Sequence, residues 1–332
     1  MDEGSTIRFL HVANGSATTR LIAEAGIPGS LSIWADPLYE GPVPGDLDDD
    51  GLLAARARYL SGDSDDPVDE VNDLRRWRTA IEDHATYDEL ILWYEHDLFD
   101  QLNLIQLLPW IRERVPAEKV VSLVCTGSFP GRPAFKGLGE LTANELASLL
   151  PARQRVTEAQ YSFAESAWRA FREPTPESLD RLRRNPLPAL PYLTTALTRF
   201  LQEYPWTTDG LSRSERRLLE LASADGISLA DAFPRMQDGE DAYYMTDLSL
   251  SALSNGLSRT SPSLLTLTRA GGEVGHALSG RAALTSAGAA VLAGAQDRVQ
   301  LCGVDRWLGG VHLEGQGPAW RWDPSIEEVI HR

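Results

Sequence analysis

The sequence predicts an α/β protein in three parts: an N-terminal domain on a short parallel, Rossmann-like sheet, a helical connector, and an α+β, winged-helix-like C-terminal domain. Three observations lead there. Apolar runs of strand length alternate with helix-period patterns from Ile7 to Cys125, the rhythm of βαβ units. Pro151 ends that rhythm and helical spacing takes over. From Trp206 onward three helix patterns precede strand patterns. The boundaries are set at 1–152, 153–205 and 206–332.

Element by element, Ile7–Val12 is the first strand, and a helix carrying Leu21, Ile22 and Ala25 follows and stops at Gly26, a common C-terminal glycine. Leu31–Ala35 is a second strand closed by Asp36-Pro37, and two amphipathic helices follow over 50–61 and 70–86. The third strand, Leu90–Tyr94, stops abruptly at Glu95-His96-Asp97. Leu98, Leu102, Ile105, Leu108 and Ile111 then mark a helix that runs to Arg114, and Val120–Cys125 is the fourth strand. In the connector, Phe163, Ala167, Trp168 and Phe171 share a helical face, and the proline-rich turn 185–191 separates it from a helix with Leu193, Leu197, Phe200 and Leu201. Beyond it, Leu211-Ser212-Arg213-Ser214-Glu215 has the form of a capping box. Helices over Ser228–Met236 and Thr246–Leu257, a strand Leu264–Thr268 and a strand end feeding a helix over Leu284–Leu292 complete the pattern.

Composition limits the function classes. The net charge of −17 is concentrated at the front: residues 1–150 hold 12 Lys+Arg against 26 Asp+Glu, a net of −14. Such a field repels a phosphate backbone, so nucleic acid is an unfavoured partner. The expected third winged helix, 245–258, contains Asp247 and neither Lys nor Arg, with Arg259, Arg269 and Arg281 the nearby cations. A packing or protein-interaction role suits it better than DNA reading. No apolar run reaches the ~18 residues of a membrane span. Met1-Asp2-Glu3-Gly4 is acidic and runs straight into a strand pattern, so no signal peptide is expected. Cys125 and Cys302 lie far apart in apolar settings, as buried free thiols of a reducing, cytoplasmic compartment would. The oligomeric state is left open.

Each expected parallel strand ends in a polar cluster. These are His11, Asn14 and Ser16; Asp36 and Glu40; Glu95, His96, Asp97, Asp100 and Gln101; and Ser128, Arg132 and Lys136. Carboxyl ends of parallel strands share one edge, where open sheets bind ligands, so the clusters are expected to converge on one crevice. Plainer roles stand beside this. Asp97 and Asp100 fit N-cap and N3 of the following helix, Asn14 and Ser16 can cap theirs, Asp36-Pro37 is a turn dipeptide, and either histidine can be a hydrogen-bonded core residue. Glu95 is harder to dismiss, because a carboxyl at the end of an apolar strand is costly without a partner.

Histidine with carboxylates suits two chemistries. One is a divalent metal that activates water; the other is metal-free general acid–base work by a carboxyl of raised pKa. No compact H-E-x-x-H motif is present, and the sequence leaves the cofactor unspecified. Gly127-Ser128, Gly131-Arg132 and Lys136-Gly137-Leu138-Gly139 form a locally basic loop that could hold an anion or be ordinary surface. It matches neither a Walker loop nor the dinucleotide fingerprint. Near the C-terminus, Asp305 and Arg306 could pair, and Arg306 or His312 would join the site if the tail folds back over it.

Several of these segments resemble an uncharacterised bacterial family, one of the numbered domains of unknown function. The resemblance rests on His11-Val12-Ala13-Asn14-Gly15-Ser16, on Trp34–Val43, on Glu95-His96-Asp97-Leu98-Phe99-Asp100-Gln101-Leu102 and on Asp305–His312. It covers nearly the whole chain. The family usually carries an acidic residue at the position of Ser16 and an arginine near that of Ala35. It implies that these loops form a unit and brings no reaction with it.

The expected function is a small-molecule enzyme, a hydrolase or group transferase on an anionic, nucleotide-like substrate. Glu95 would be the base or a metal ligand, with His96 or His11 as partner and Asp36 as a further catalytic group. Glu40, Asn14, Ser16, Asp97, Asp100, Gln101 and Ser128 would contact substrate, and Arg132 or Lys136 would offset its charge. The alternative is a ligand-sensing transcription regulator or interaction module using the C-terminal domain.

Overall fold

The computed structural model describes residues 7–62, 67–185, 188–268, 278–317 and 320–332. The acidic segment Met1–Gly4, Arg269, and Pro186 and Leu187 of the proline-rich turn lie outside the described residues. The chain divides into two compact units, Met1–Ala196 with Gly309–Val311, and Leu197–Leu308 with His312–Arg332. Three parts were expected; the first connector helix instead belongs with the N-terminal unit.

Unit 1 is mixed α/β. Its elements in order are β1 (Phe9–Ala13), α1 (Ser16–Glu24), β2 (Ser30–Ile33), β3 (Gly41–Pro42), α2 (Asp49–Leu60), α3 (Val68–Glu82), β4 (Glu89–Glu95), α4 (Leu98–Arg114), β5 (Val120–Thr126), α5 (Ala143–Leu149), β6 (Gln154–Arg155), α6 (Glu158–Phe171) and α7 (Glu177–Arg183). One sheet has the order β2-β1-β4-β5-β6. The first four strands are parallel, and β6 is an antiparallel edge that has no counterpart in the apolar pattern.

Why β4 lies at the centre follows from its sequence. All seven of its residues are buried, as expected for a strand covered on both faces. Ile91 and Trp93 face a core with Leu21 and Ile22 of α1, Leu146 of α5, and Leu138. On the other face Tyr94 donates from its hydroxyl to the Trp34 carbonyl (3.1 Å), and the Trp34 indole donates to Gln106 of α4 (2.8 Å). Helix α1 leaves β1 toward β2, while α4 leaves β4 toward β5, so the crossovers diverge between β1 and β4. That divergence is a topological switch point, the position at which open α/β sheets commonly bind ligands.

Helix α8 (Leu193–Leu201) spans the boundary between units. Unit 2 then runs α9 (Arg213–Leu221), β7 (Ile227–Ser228), α10 (Leu229–Met236), α11 (Asp247–Arg259), β8 (Leu265–Thr268), β9 (Arg281–Leu284), α12 (Ser286–Leu292), α13 (Arg298–Cys302), β10 (Val304–Gly309), β11 (Val311–Gly315), β12 (Trp320–Asp323) and β13 (Glu328–His331). Strands β7, β9 and β8 form an antiparallel sheet. The expected Asp305–Arg306 pair is replaced by two others. Arg306 pairs with buried Glu215 (2.6 Å), and Asp305 accepts from His312 (2.7 Å), whose ring stacks on Trp307. Strand alternation explains this, since neighbours on β10 point to opposite faces. No helix of the described residues is long and apolar enough to cross a membrane.

Candidate functional site

The end of β4 and the turn into α4 build a buried carboxyl cluster. Asp97 is the N-cap of α4 and accepts from the Asp100 N–H (2.9 Å). Asp100 reaches back to accept from the Glu95 N–H (2.5 Å). Gln101 donates to the Glu95 carbonyl (2.7 Å) and lies 3.6 Å from the Cys125 sulfur. Glu95, Asp97 and Asp100 are 8%, 9% and 0% exposed, so all three carboxyls are withdrawn from water.

Asn14, at the end of β1, ties the cluster together. Its Nδ2 donates to Glu95 Oε1 (3.0 Å) and to Asp100 Oδ2 (2.9 Å), and its Oδ1 accepts from Thr18 (2.7 Å). The second Glu95 oxygen accepts from the peptide N–H of Leu138. Gly137 makes that approach possible, because a Cβ there would lie 2.5 and 2.7 Å from the two Glu95 oxygens. The donors reaching Glu95 are thus an amide and a peptide, both neutral. Burial first, then the charge of Asp97, pushes the Glu95 carboxyl up to about 8. Burial likewise lifts Asp97 to about 6 and Asp100 well above the usual carboxylate range. Asp100 Oδ1 is buried with no hydrogen-bond partner, an arrangement that disfavours a second charge beside Glu95.

Glu89, at the opposite end of β4, makes the contrast. Arg153 and Ser122 hydrogen-bond its carboxylate, which stays below its ordinary range. The same residue type on the same strand is ionised at one end and driven toward neutrality at the other.

His96 sits beside the cluster, its ring 6.3 Å from Phe135 and 6.1 Å from Tyr192. The Tyr192 hydroxyl accepts from the Gly127 N–H (2.9 Å). Phe135, Tyr192 and the Leu138 N–H were not anticipated. A backbone donor leaves no mark in the sequence, and Tyr192 is 65 residues from Gly127. Leu138 belongs to the loop that the sequence leaves open between an anion site and ordinary surface; its side chain is fully buried.

Other expected members are elsewhere. His11 is a core histidine: Nδ1 accepts from the Trp93 indole (3.1 Å), Nε2 faces the Pro28 carbonyl (3.1 Å), and burial lowers its pKa. It pairs in register with Ile91, four residues short of Glu95, or about 13 Å along the strand. His11 and Glu95 therefore are not partners. Asp36 is held by Arg56 through both carboxylate oxygens (2.6–3.1 Å), and Asn103 bonds its backbone. Glu40 gives its carbonyl to the same guanidinium (2.6 Å). These two belong to a buried ion pair that fastens the segment after β2 to α2 and α4. Ser16 is exposed at the first turn of α1, behind Gly15 as N-cap. Ser128 is exposed and bonds through its backbone to Thr126. Arg132 is engaged by Glu145 through two hydrogen bonds (3.2 and 2.7 Å), and the Lys136 N–H donates to Glu140.

Among the described residues, no group of three or more His, Cys, Asp and Glu side chains is arranged to hold a metal ion. The arrangement offers instead a carboxyl that can lose and regain a proton near neutrality, fixed by Asn14 and Leu138. No protein-family model matches the chain, and no curated protein matches it.

Proposed function

We propose that unit 1 is a small-molecule enzyme, a hydrolase or group transferase, in which Glu95 is the general acid–base. One observation carries this: Glu95 lies at the β1/β4 switch point with its carboxyl pushed up to about 8, near the pH at which proton transfer is efficient. Asn14 and the Leu138 N–H orient it, Asp97 and Asp100 keep its proton, and His96 with Tyr192 borders the approach. Arg132 is committed to Glu145, which weakens the case for an anionic, nucleotide-like substrate. Membership in the uncharacterised family belongs to this proposal and adds no chemical step.

The test is a thermal-shift screen of metabolites, with and without divalent metals, on the native chain and on Glu95→Gln. A ligand of the native state must raise its stability. Conversion of a hit by the native chain, and loss of that conversion in Glu95→Gln, supports the assignment. Equal turnover by both proteins would refute it.

A second reading concerns unit 2. The order α9-β7-α10-α11-β8-β9 is that of a winged helix and supports such a module. Helix α11 carries Asp247 and no cation before Arg259, which favours a protein partner over DNA. Sequence-selective gel shifts at low salt would reverse that preference.

A further inference from the structure

Helix α11 turns one face inward and one outward. Ser249, Leu250, Ser254 and Leu257 are buried in unit 2. On the other side Leu248 is 70% exposed, the most of any large apolar side chain among the described residues. Ala252 and Gly256 follow it at intervals of four, both exposed, and so share its face. A Cβ at Gly256 would meet nothing within 4 Å, which makes the position a notch open to solvent. Arg259 is exposed at the end of the same face, and Asp247 is exposed at the opposite end of the helix. Among the described residues neither charge is in an ion pair.

This face is complementary to itself. A second copy, turned about a two-fold axis through Ala252, brings its α11 alongside the first in the antiparallel sense. Leu248 of each copy then falls opposite Gly256 of the other, a knob facing a notch across the axis. Small residues at Ala252 and Gly256 let the two backbones come close. Asp247 of each copy reaches the end that carries Arg259 of the other, and the helix dipoles run in opposite directions, which is the favourable sense. A parallel pair would set Asp247 against Asp247 and Arg259 against Arg259. Self-repulsion is also least on this half of the chain. Of the net charge of −17, −14 lies in residues 1–150 and −3 in residues 151–332.

We propose that α11 joins two copies of this chain, paired antiparallel through Leu248, Ala252 and Gly256 with Asp247 and Arg259 matched at the ends. The proposal rests on the reading of unit 2 as a protein-interaction module and names its partner. A helix of 13 residues is about 20 Å long. One face of it covers less than the ~800 Å² a side of a standard interface. The association is therefore weak, with a Kd of about 10–500 μM.

Sedimentation equilibrium on the full chain, from about 5 μM to about 1 mM, spans that range and tests the pairing. The native chain should show a monomer–dimer equilibrium. Leu248→Ser removes the knob and Gly256→Gln fills the notch, and each should raise the Kd at least about tenfold. Both positions are exposed, so melting temperatures close to that of the native chain will show that the loss is not misfolding. Asp247→Arg and Arg259→Asp should each weaken the dimer at least about threefold at low salt. The double reversal, and an equimolar mixture of the two single variants, should recover it, as antiparallel pairing alone requires. Glu95→Gln should dimerise like the native chain, which separates this contact from the acid–base proposal. A native chain that is monomeric at about 1 mM, a dimer indifferent to Leu248 and Gly256, or charge reversals without rescue would each overturn the pairing. A monomer that also shifts no DNA would refute this pairing and leave the wider reading of unit 2 intact.

Discussion

Glu95 and Asp100 share a single donor group: the side-chain amide of Asn14 gives one N–H to each, at 3.0 and 2.9 Å. Their accepting oxygens are therefore no more than about 6 Å apart, in a setting from which water is excluded. Two carboxylates so placed cannot both ionise cheaply, and this one relationship governs the protonation chemistry proposed for the site.

Replacing Asn14 tests the bridge. Asn14→Ala leaves both carboxyls short of a donor and should cost about 1–3 kcal/mol, the usual penalty for an unsatisfied buried group. Asn14→Asp should cost more, because it adds a third acceptor where two donors stood. Chemical denaturation of the two variants measures the difference, and equal stabilities would show that Asn14 does not bridge.

The pH dependence has a definite sign. Glu95 titrates at about 8 in the folded chain and near 4.3 when unfolded. Between those values the folded state holds the extra proton, so stability falls as pH rises and the loss is complete above the folded value. Melting temperature should drop from pH 7 to pH 9, and Glu95→Gln should flatten that slope. His11, whose pKa burial lowers, acts in a separate window: protonating it destabilises the fold only below about pH 6.5.

Gly137 is required by contact rather than by backbone conformation, since its φ of 173° is ordinary extended chain. Gly137→Ala drives a methyl group into the Glu95 carboxyl and should cost about 1–3 kcal/mol, as overpacking does. In a Glu95→Ala background the same change should cost much less. A double-mutant cycle reads the coupling, and strict additivity would show that the two residues do not touch.

Asp36 and Arg56 are almost wholly buried together, and removing one partner leaves a charge unpaired. Arg56→Ala should lower stability by about 3–5 kcal/mol. Once a turnover assay exists, the milder Asp36→Asn should alter stability more than kcat. A selective loss of kcat with stability intact would return Asp36 to the site.

How much of this was legible in the sequence depends on the range of the interactions. Leu90–Tyr94 and the α4 start were readable because an apolar run, a capping aspartate and a helical repeat are local signals. The parallel strands placed Asn14 and Glu95 on one edge for the same reason. The position of His11 was not readable. Its partners, Pro28 and Trp93, lie 17 and 82 residues away, and an isolated histidine looks alike in a core and in a site. Arg56 as the partner of Asp36 was hidden by a helix whose apolar periodicity says nothing about which guanidinium turns inward. Strand β6 escaped notice because two exposed residues, Gln154 and Arg155, have no apolar alternation to betray them.

The most direct measurement is a pH titration of the glutamate side-chain carboxyl carbons by NMR, with Glu95 assigned by its absence in Glu95→Gln. A buried acid that trades protons near neutrality should give a Glu95 resonance that moves between pH 7 and 9 while other glutamates have finished moving by about pH 6. A Glu95 resonance fully ionised by pH 6 would contradict the acid–base role and leave this carboxyl a structural one.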